Sequence, residues 1–262
     1  MVTRARLDAE LVRRGLARSR GQAAELIEAG RVAVRGIPAE KPATVVDRDT
    51  PVTVVATAER QWASRGAHKL IGALDALAVD PAGLRCLDAG ASTGGFTDVL
   101  LDRGAREVIA VDVGYGQLVW RLRSDARVRV HDRTNVRALT PAEIGGPAQL
   151  TVADLSFISL RTVLPALAAC TEGVLLPMVK PQFEVGKHRL GAGGVVRDPE
   201  LRLAALCDVA AAARELGLRL AGAVASPLPG PSGNVEFFLC LRRDVGDIGD
   251  DALSHAVEMG PS

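Results

Sequence analysis

From Asp88 to Leu241, strand-length apolar runs alternate with helix-length segments, and this alternation confines most of the chain to an α/β architecture. Strands are predicted to end at Asp88 and to run over 108–112, 128–130, 150–154 and 174–179, with helices over 96–103, 117–122, 160–168 and 200–216. Short strand–helix–strand connections of this kind build a doubly wound, mainly parallel sheet. The last two strands, 218–225 and 235–241, are joined by a Pro/Gly loop with no helix, which predicts an antiparallel hairpin at one edge. With 48% hydrophobic and 24% charged residues, 262 residues can bury such a core and still carry a small extra module.

Ligands of open α/β sheets bind outside the carboxyl ends of the parallel strands, so those ends locate the chemistry. The first strand runs into Leu87-Asp88-Ala89-Gly90-Ala91-Ser92-Thr93-Gly94-Gly95-Phe96-Thr97, a glycine-rich turn that opens a helix. A dinucleotide fingerprint would carry glycine where Ser92 stands, and here an acid, Asp88, precedes the first glycine by two. The D-x-G-x-S-x-G-G form resembles the first motif of S-adenosylmethionine-dependent methyltransferases. That resemblance implies S-adenosyl-L-methionine as cofactor, with Gly90, Ser92, Gly94, Gly95 and Phe96 near its amino-acid end. It also implies Asp112 on the ribose hydroxyls, Asn135 near the adenine, and Asp88 orienting the turn.

The net charge of +1 hides an uneven distribution. Residues 1–36 hold eight arginines and no lysine against four acids, a local +4, which leaves −3 for the remainder. Arginine used so densely suits bidentate phosphate contact. Two short helices are expected, one on Leu7, Leu11 and Val12 up to Gly15, the other from a Ser19 cap through Ala23, Leu26 and Ile27 to Gly30. An alternating strand over 31–35, a turn over 36–38 and a return strand over 52–55 follow. This order resembles the alpha-L RNA-binding motif, which implies that Arg4, Arg6, Arg18, Arg20 and Arg31 face structured RNA and recognise shape and backbone more than sequence.

Three further strand ends carry reactive groups. Asp154 lies in V-A-D-L-S-F, Lys180 in M-V-K-P-Q-F, and Glu236 in G-N-V-E-F, while Lys69 sits on a helix ahead of the sheet. Together Lys69, Asp154, Lys180 and Glu236 resemble the K-D-K-E tetrad of FtsJ/RrmJ-type ribose 2′-O-methyltransferases. The whole chain, from about Arg4 to Arg242, resembles the TlyA family of haemolysin-A-like rRNA 2′-O-methyltransferases. The stretches that carry the likeness are 87–97, V-D-V-G-Y-G-Q-L at 111–118, 152–160, V-K-P-Q-F-E-V-G-K at 179–187, and S-P-L-P-G-P-S-G-N-V-E at 226–236. The likeness implies a Rossmann-like methyltransferase sheet with an antiparallel last strand, behind a small N-terminal α+β RNA-binding domain. The expected organisation is that domain at 1–59, a linker at 60–63, the methyltransferase domain at 64–243 and a tail at 244–262. The linker departs from the family's R-x-W-V, reading Arg60-Gln61-Trp62-Ala63.

A ribose hydroxyl is a poor nucleophile near neutral pH, so an ammonium that stabilises its alkoxide, or a neutral lysine that takes its proton, has an evident use. Lys180 is the candidate, with Asp154 and Glu236 holding the two lysines and balancing their charge. The resemblance implies ribosomal RNA or ribosomal subunits as partner and cytidine as target. Other readings are weaker. Arg6-Leu7-Asp8 resembles the catalytic stretch of pseudouridine synthases without a catalytic domain around it, and Asp8 is expected to be structural. D-L-S-F lacks both prolines of the D-P-P-Y-like motif of base-amino methyltransferases. An inert RNA-binding module leaves the tetrad unused, and a pore-forming haemolysin needs membrane patterns that this sequence does not show. Cys86, Cys170, Cys207 and Cys240 are widely spaced with no C-x-x-C, and no apolar run approaches the roughly 20 residues of a membrane span. A cytoplasmic, monomeric protein without structural metal is the expectation, since no secretory signal is visible.

Overall fold

In a computed structural model the chain is described over residues 4–55, 60–186, 189–230 and 232–261. Connector residues 57–59 and motif residues Lys187 and Pro231 lie outside the described residues, as do positions 1–3 and 262. Chain contacts divide the molecule into two compact units, Met1–Gln61 and Trp62–Ser262.

The first unit runs β1 (Arg4–Arg6), α1 (Leu7–Arg13), α2 (Arg20–Glu28), β2 (Val32–Val34), β3 (Ile37–Pro38), β4 (Val45–Asp47) and β5 (Val52–Val54). Leu7 and Leu11, four apart, put one face of α1 onto Ala23, Leu26 and Ile27 of α2, and Val32 and Val46 close this small core. The Ser19 hydroxyl accepts the Gln22 amide at 3.2 Å, capping α2. Residues 36–38, expected as a turn, divide differently. Arg35 and Gly36 both have positive φ, +53° and +81°, the signature of a two-residue type I′ hairpin, and Ile37 and Pro38 pair with Val34 and Ala33. The segments Arg4–Arg6 and Val45–Asp47, not foreseen as strands, pair antiparallel.

The second unit is a seven-stranded sheet in the order β11-β12-β10-β9-β6-β7-β8. Its parallel strands are β6 (Arg85–Ala89), β7 (Glu107–Val111), β8 (Val128–His131), β9 (Ala148–Ala153) and β10 (Thr171–Val179). The last strand, β12 (Phe237–Arg242), is antiparallel both to β10 and to β11 (Arg219–Ala225), and inserts between them. Alternate residues of each strand point to opposite faces. Leu87, Ile109 and Val111 join a core under α6 (Leu160–Ala169) and α8 (Pro199–Glu215), while Cys86, Val108, Leu150 and Met178 join one under α3 (Gly66–Ala76) and α4 (Gly95–Asp102). Pro199 at the first position and an Asp198 cap accepting the Glu200 amide at 2.9 Å start α8.

Two expectations need correction. The helix predicted over 117–122 is a single turn, α5 (Trp120–Arg123), because Gly114 and Gly116 hold the preceding residues in a loop. The stretch 244–262, expected as a tail, contains α9 (Asp251–Glu258), which buries Leu253, Ala256 and Val257 in the core beside β11 and α8. Between α6 and α8 the chain makes the short turn α7 (Pro181–Glu184). No helix among the described residues is long and apolar enough to cross a membrane.

Candidate active site

The β6–α4 turn follows the left-handed geometry its glycines allow. Gly90 and Gly94 have φ of +90° and +102°, and Ser92 adopts +47°. Gly90 and Ala91 donate their amides to Val111 O at 2.8 and 3.1 Å, which fastens the turn to the end of β7. A Cβ at Gly90 would run into the Asp154 carbonyl and lie 3.0 Å from the Leu155 side chain, so glycine is what lets β6 and β9 close together here. At the end of β7, the half-buried Asp112 carboxylate accepts the Ser92 and Gly114 amides at 2.8 and 2.7 Å, spending one lone pair on each oxygen and keeping further capacity.

Gly90, Ser92 and Asp112 share a cavity of about 580 Å³ with Asn135, Asp154 and Ser156. Asn135 lines it while its Oδ1 accepts the Arg137 amide at 3.0 Å, capping the short turn Val136–Ala138. Phe96 is buried, with its ring 6.0 Å from that of Phe238; with Gly90, Ser92 and Gly95 it borders a smaller recess beside the same turn. Gly94 packs instead toward Leu118 and Leu122. A close backbone approach, a free acceptor at a strand end and a roomy cavity form a set into which a nucleoside fits.

Asp88 lies under the turn, fully buried. The Thr97 hydroxyl donates to its Oδ2 at 2.6 Å, and its Oδ1 has no partner among the described residues. Burial, reinforced by the charges of Asp154 and Asp112 and opposed by the Thr97 hydrogen bond, pushes its carboxyl up to about 7. The unfolded carboxyl gives up its proton at about 4, so across that window the native chain holds the extra proton and stability falls as pH rises. Asp88→Asn imitates the protonated form. It is expected to raise the melting temperature over the wild type at about pH 8 but not at about pH 4; equal effects at both pH values would contradict the assignment.

The three residues singled out at strand ends and Lys69 of the helix ahead of the sheet meet as two ion pairs. Lys180, following β10, lies 2.6 Å from Asp154 Oδ1, and its Nζ also donates to Ser156 Oγ at 2.8 Å. Lys69 of α3 pairs with Glu236 Oε2, just ahead of β12. Both lysines are buried apart from 8% of their surface, and Glu236 is wholly buried, its Oε1 without a partner among the described residues. Lys180 and Glu236 line one cleft of about 740 Å³, together with Phe157, Gln182 and Phe183. Ser156, Phe157 and Ile158 line both this cleft and the cavity at Asp112. Asp154 thus lines the space beside the glycine turn, Lys180 and Glu236 line the adjoining one, and Lys69 is tied to it only through its pair with Glu236.

Several residues here were given no role from sequence. Ser156 meets Lys180 directly. Phe157, 92% exposed with a φ of +63°, packs its ring 5.3 Å from that of Phe183. Buried Glu184 accepts the Ser159 hydroxyl at 2.6 Å and the Leu160 amide at 2.8 Å. All lie in the stretches 152–160 and 179–187, and that clustering was the one available signal.

In the first unit, Asp8 is nearly buried and accepts hydrogen bonds from Arg6 at 3.0 Å, Arg20 at 2.9 Å and the Ala9 amide at 2.8 Å. The Arg6 guanidinium, then that of Arg20, hold its carboxyl down to about 2 against the cost of burial. Arg6 and Arg20 remain half exposed or more. Arg4 faces Asp47 at 3.5 Å, Arg18 is exposed, and Arg31 bonds Val55 O at 3.1 Å. The described residues contain no cluster of His, Cys, Asp and Glu that could hold a metal ion, and the four cysteines are free.

Comparison with known proteins gives this geometry a lineage. Residues 62–243 match the family described as FtsJ-like methyltransferase, and residues 5–52 match the S4 domain. The 16S/23S rRNA (cytidine-2′-O)-methyltransferase TlyA of Mycobacterium tuberculosis is 62% identical over the whole of both chains. The 23S rRNA (cytidine-2′-O)-methyltransferase TlyA of Campylobacter jejuni is 35% identical over 68% of this chain and 69% of its own. Among solved structures, a candidate hemolysin from Streptococcus thermophilus superimposes with a TM-score of 0.77 at 36% identity, covering 98% of this chain and 96% of that one. An S4 domain at one end, an FtsJ-like domain over the rest and this degree of identity agree on one lineage: the chain belongs to the TlyA family of FtsJ-like methyltransferases.

Proposed function

We propose that this chain transfers a methyl group from S-adenosylmethionine to the 2′-hydroxyl of a cytidine in ribosomal RNA. The observation that carries the reading is the Lys180–Asp154 pair, set where the cavity at the glycine turn adjoins the cleft beside Lys180. Full-length likeness to an enzyme named for cytidine 2′-O-methylation supports the substrate class.

The cofactor supplies an electrophilic methyl group on a sulfonium centre. Gly90, Ser92 and Gly95 would border its amino-acid end and Asp112 would accept from its ribose hydroxyls, with Asn135 near the base. Asp88 keeps the turn in shape from below. As an ammonium, Lys180 would give two of its N–H groups to Asp154 Oδ1 and Ser156 Oγ, the acceptors it meets among the described residues, and would keep a third. Pointed at the target 2′-oxygen, that N–H meets negative charge as it develops there, the setting in which a preorganised cation is most effective. Asp154 fixes Lys180, and Glu236, paired with the buried Lys69, lines the same cleft as Lys180 with its Oε1 unpartnered among the described residues. Holding hydroxyl and donor in line supplies much of the remaining acceleration. The S4 unit would hold structured rRNA through Arg4, Arg6, Arg18, Arg20 and Arg31, with Asp8 fixing two of these heads. The reading divides the chain into an RNA-binding domain, a linker about Arg60 to Ala63 and a catalytic domain that includes α9. It also places the work where ribosomes are assembled, in the cytoplasm.

Mapping 2′-O-methyl groups in rRNA from cells with and without this protein tests the reading. Loss of one or more 2′-O-methylcytidines is the expected result. Loss of a methyl on a base nitrogen instead would transfer the reading to the base-amino methyltransferases.

A further inference from the structure

An ammonium held by one carboxylate can still swing about that single contact as its side chain moves, and the direction of its remaining hydrogens is then only loosely set. A second fixed acceptor removes that freedom. Lys180 has such an acceptor in Ser156, whose Oγ takes a hydrogen bond from Nζ at 2.8 Å while Asp154 Oδ1 lies at 2.6 Å. Among the described residues these are the acceptors Lys180 meets, so an ammonium there keeps a single N–H for the cleft.

The segment that carries Ser156 is braced for this. Residues 154–160 and 180–184 are joined in succession by Asp154 and Ser156 to Lys180, by the Phe157 ring to Phe183, and by Ser159 and the Leu160 amide to Glu184. Phe157 takes a φ of +63°, in a region that non-glycine residues seldom occupy, and thereby turns the chain back after Ser156. Ser156 also borders both the cavity at Asp112 and the cleft of Lys180, which puts its hydroxyl at their junction.

We propose that Ser156 is a positioning residue for methyl transfer, setting the direction of the Lys180 ammonium through its hydroxyl. The proposal rests on Lys180 acting at the target hydroxyl, as inferred above.

The test uses the full chain, labelled S-adenosylmethionine, and ribosomal subunits from cells that lack the protein, with single-turnover rates followed from about pH 6 to about pH 10. Ser156→Ala is expected to lower kcat about tenfold, the loss of one charge-assisted hydrogen bond. KM for subunits and cofactor should stay within about twofold, because neither would bind through this contact. The rate–pH profile should move toward lower pH, since the charged form loses an acceptor. Asp154 beside Lys180, Glu236 in the same cleft and Lys69 paired with Glu236 are retained in the variant, so the displacement reports the hydroxyl. Ser156→Thr, which keeps a hydroxyl, should restore both rate and profile even if the alanine variant melts at a lower temperature. An unmoved profile in Ser156→Ala, or a threonine variant as slow as the alanine one, overturns the proposal. Turnover by Lys180→Ala would remove the reading beneath it; a dead Lys180→Ala beside an unaltered Ser156→Ala removes this inference alone.

Discussion

Lys180→Ala is expected to bind S-adenosylmethionine as the wild type does and to lose methyl transfer by about a thousandfold, the scale on which removal of a charge-stabilising or proton-handling group acts. The two effects separate because Lys180 lines the cleft away from the glycine turn, whereas Gly90, Ser92 and Asp112 line the other cavity. The fold should survive. Asp154, left without its partner, keeps 26% of its side chain open to solvent, so its charge can be hydrated. Lys180→Arg should not restore the rate, since a planar guanidinium cannot place one N–H where the ammonium does while meeting both Asp154 and Ser156. Cofactor titration by calorimetry beside single-turnover transfer on ribosomal subunits measures both quantities. Transfer within about tenfold of wild type in Lys180→Ala would exclude the role assigned to this residue.

Much of this architecture is legible in the sequence because its signals are local. Strand-length apolar runs, the left-handed glycines of the first turn and an acid at the close of β7 all act within a few residues. The pairing of Lys69 with Glu236, 167 positions apart, has no local signal; it becomes readable only through a resemblance that supplies the constellation whole. The same limit explains what was missed. The insertion of β12 between β10 and β11 is a matter of strand order, which contacts across the sheet decide. Helix α9 carries Leu253, Ala256 and Val257 at helical spacing, a pattern too short to separate from a tail until β11 and α8 cover it. Arg6 and Arg20 converge on Asp8 from separate elements, so charge counting identified the arginines without showing that two of them share one carboxylate. The upward displacement of Asp88 likewise depends on what closes over it, since an acid two residues before a glycine looks the same whether buried or wet.

The glycine turn yields the other large effect. Gly90→Ala is expected to abolish methyl transfer and weaken cofactor binding by about a hundredfold or more, through two independent costs. At a φ of +90° an alanine is strained by roughly 1–3 kcal/mol before any contact is considered. Its methyl would also press on the Asp154 carbonyl and on Leu155 at 3.0 Å, and backbone cannot swing aside as a side chain can. Asp154 N is bonded to Ala89 O at 3.0 Å, so a displaced Asp154 pulls on β6 as well as on Lys180. Cavity and ion pair are therefore expected to fail together, unlike in Lys180→Ala, where only transfer is lost. Gly116 supplies the control. It too has positive φ, +66°, yet nothing lies within 4 Å of a Cβ there, so Gly116→Ala bears strain without collision. Calorimetric titration with S-adenosylmethionine and thermal melting should find Gly116→Ala only modestly destabilised and still binding, with Gly90→Ala impaired in both. If the two variants bind equally well, crowding against Asp154 is not what requires glycine at position 90.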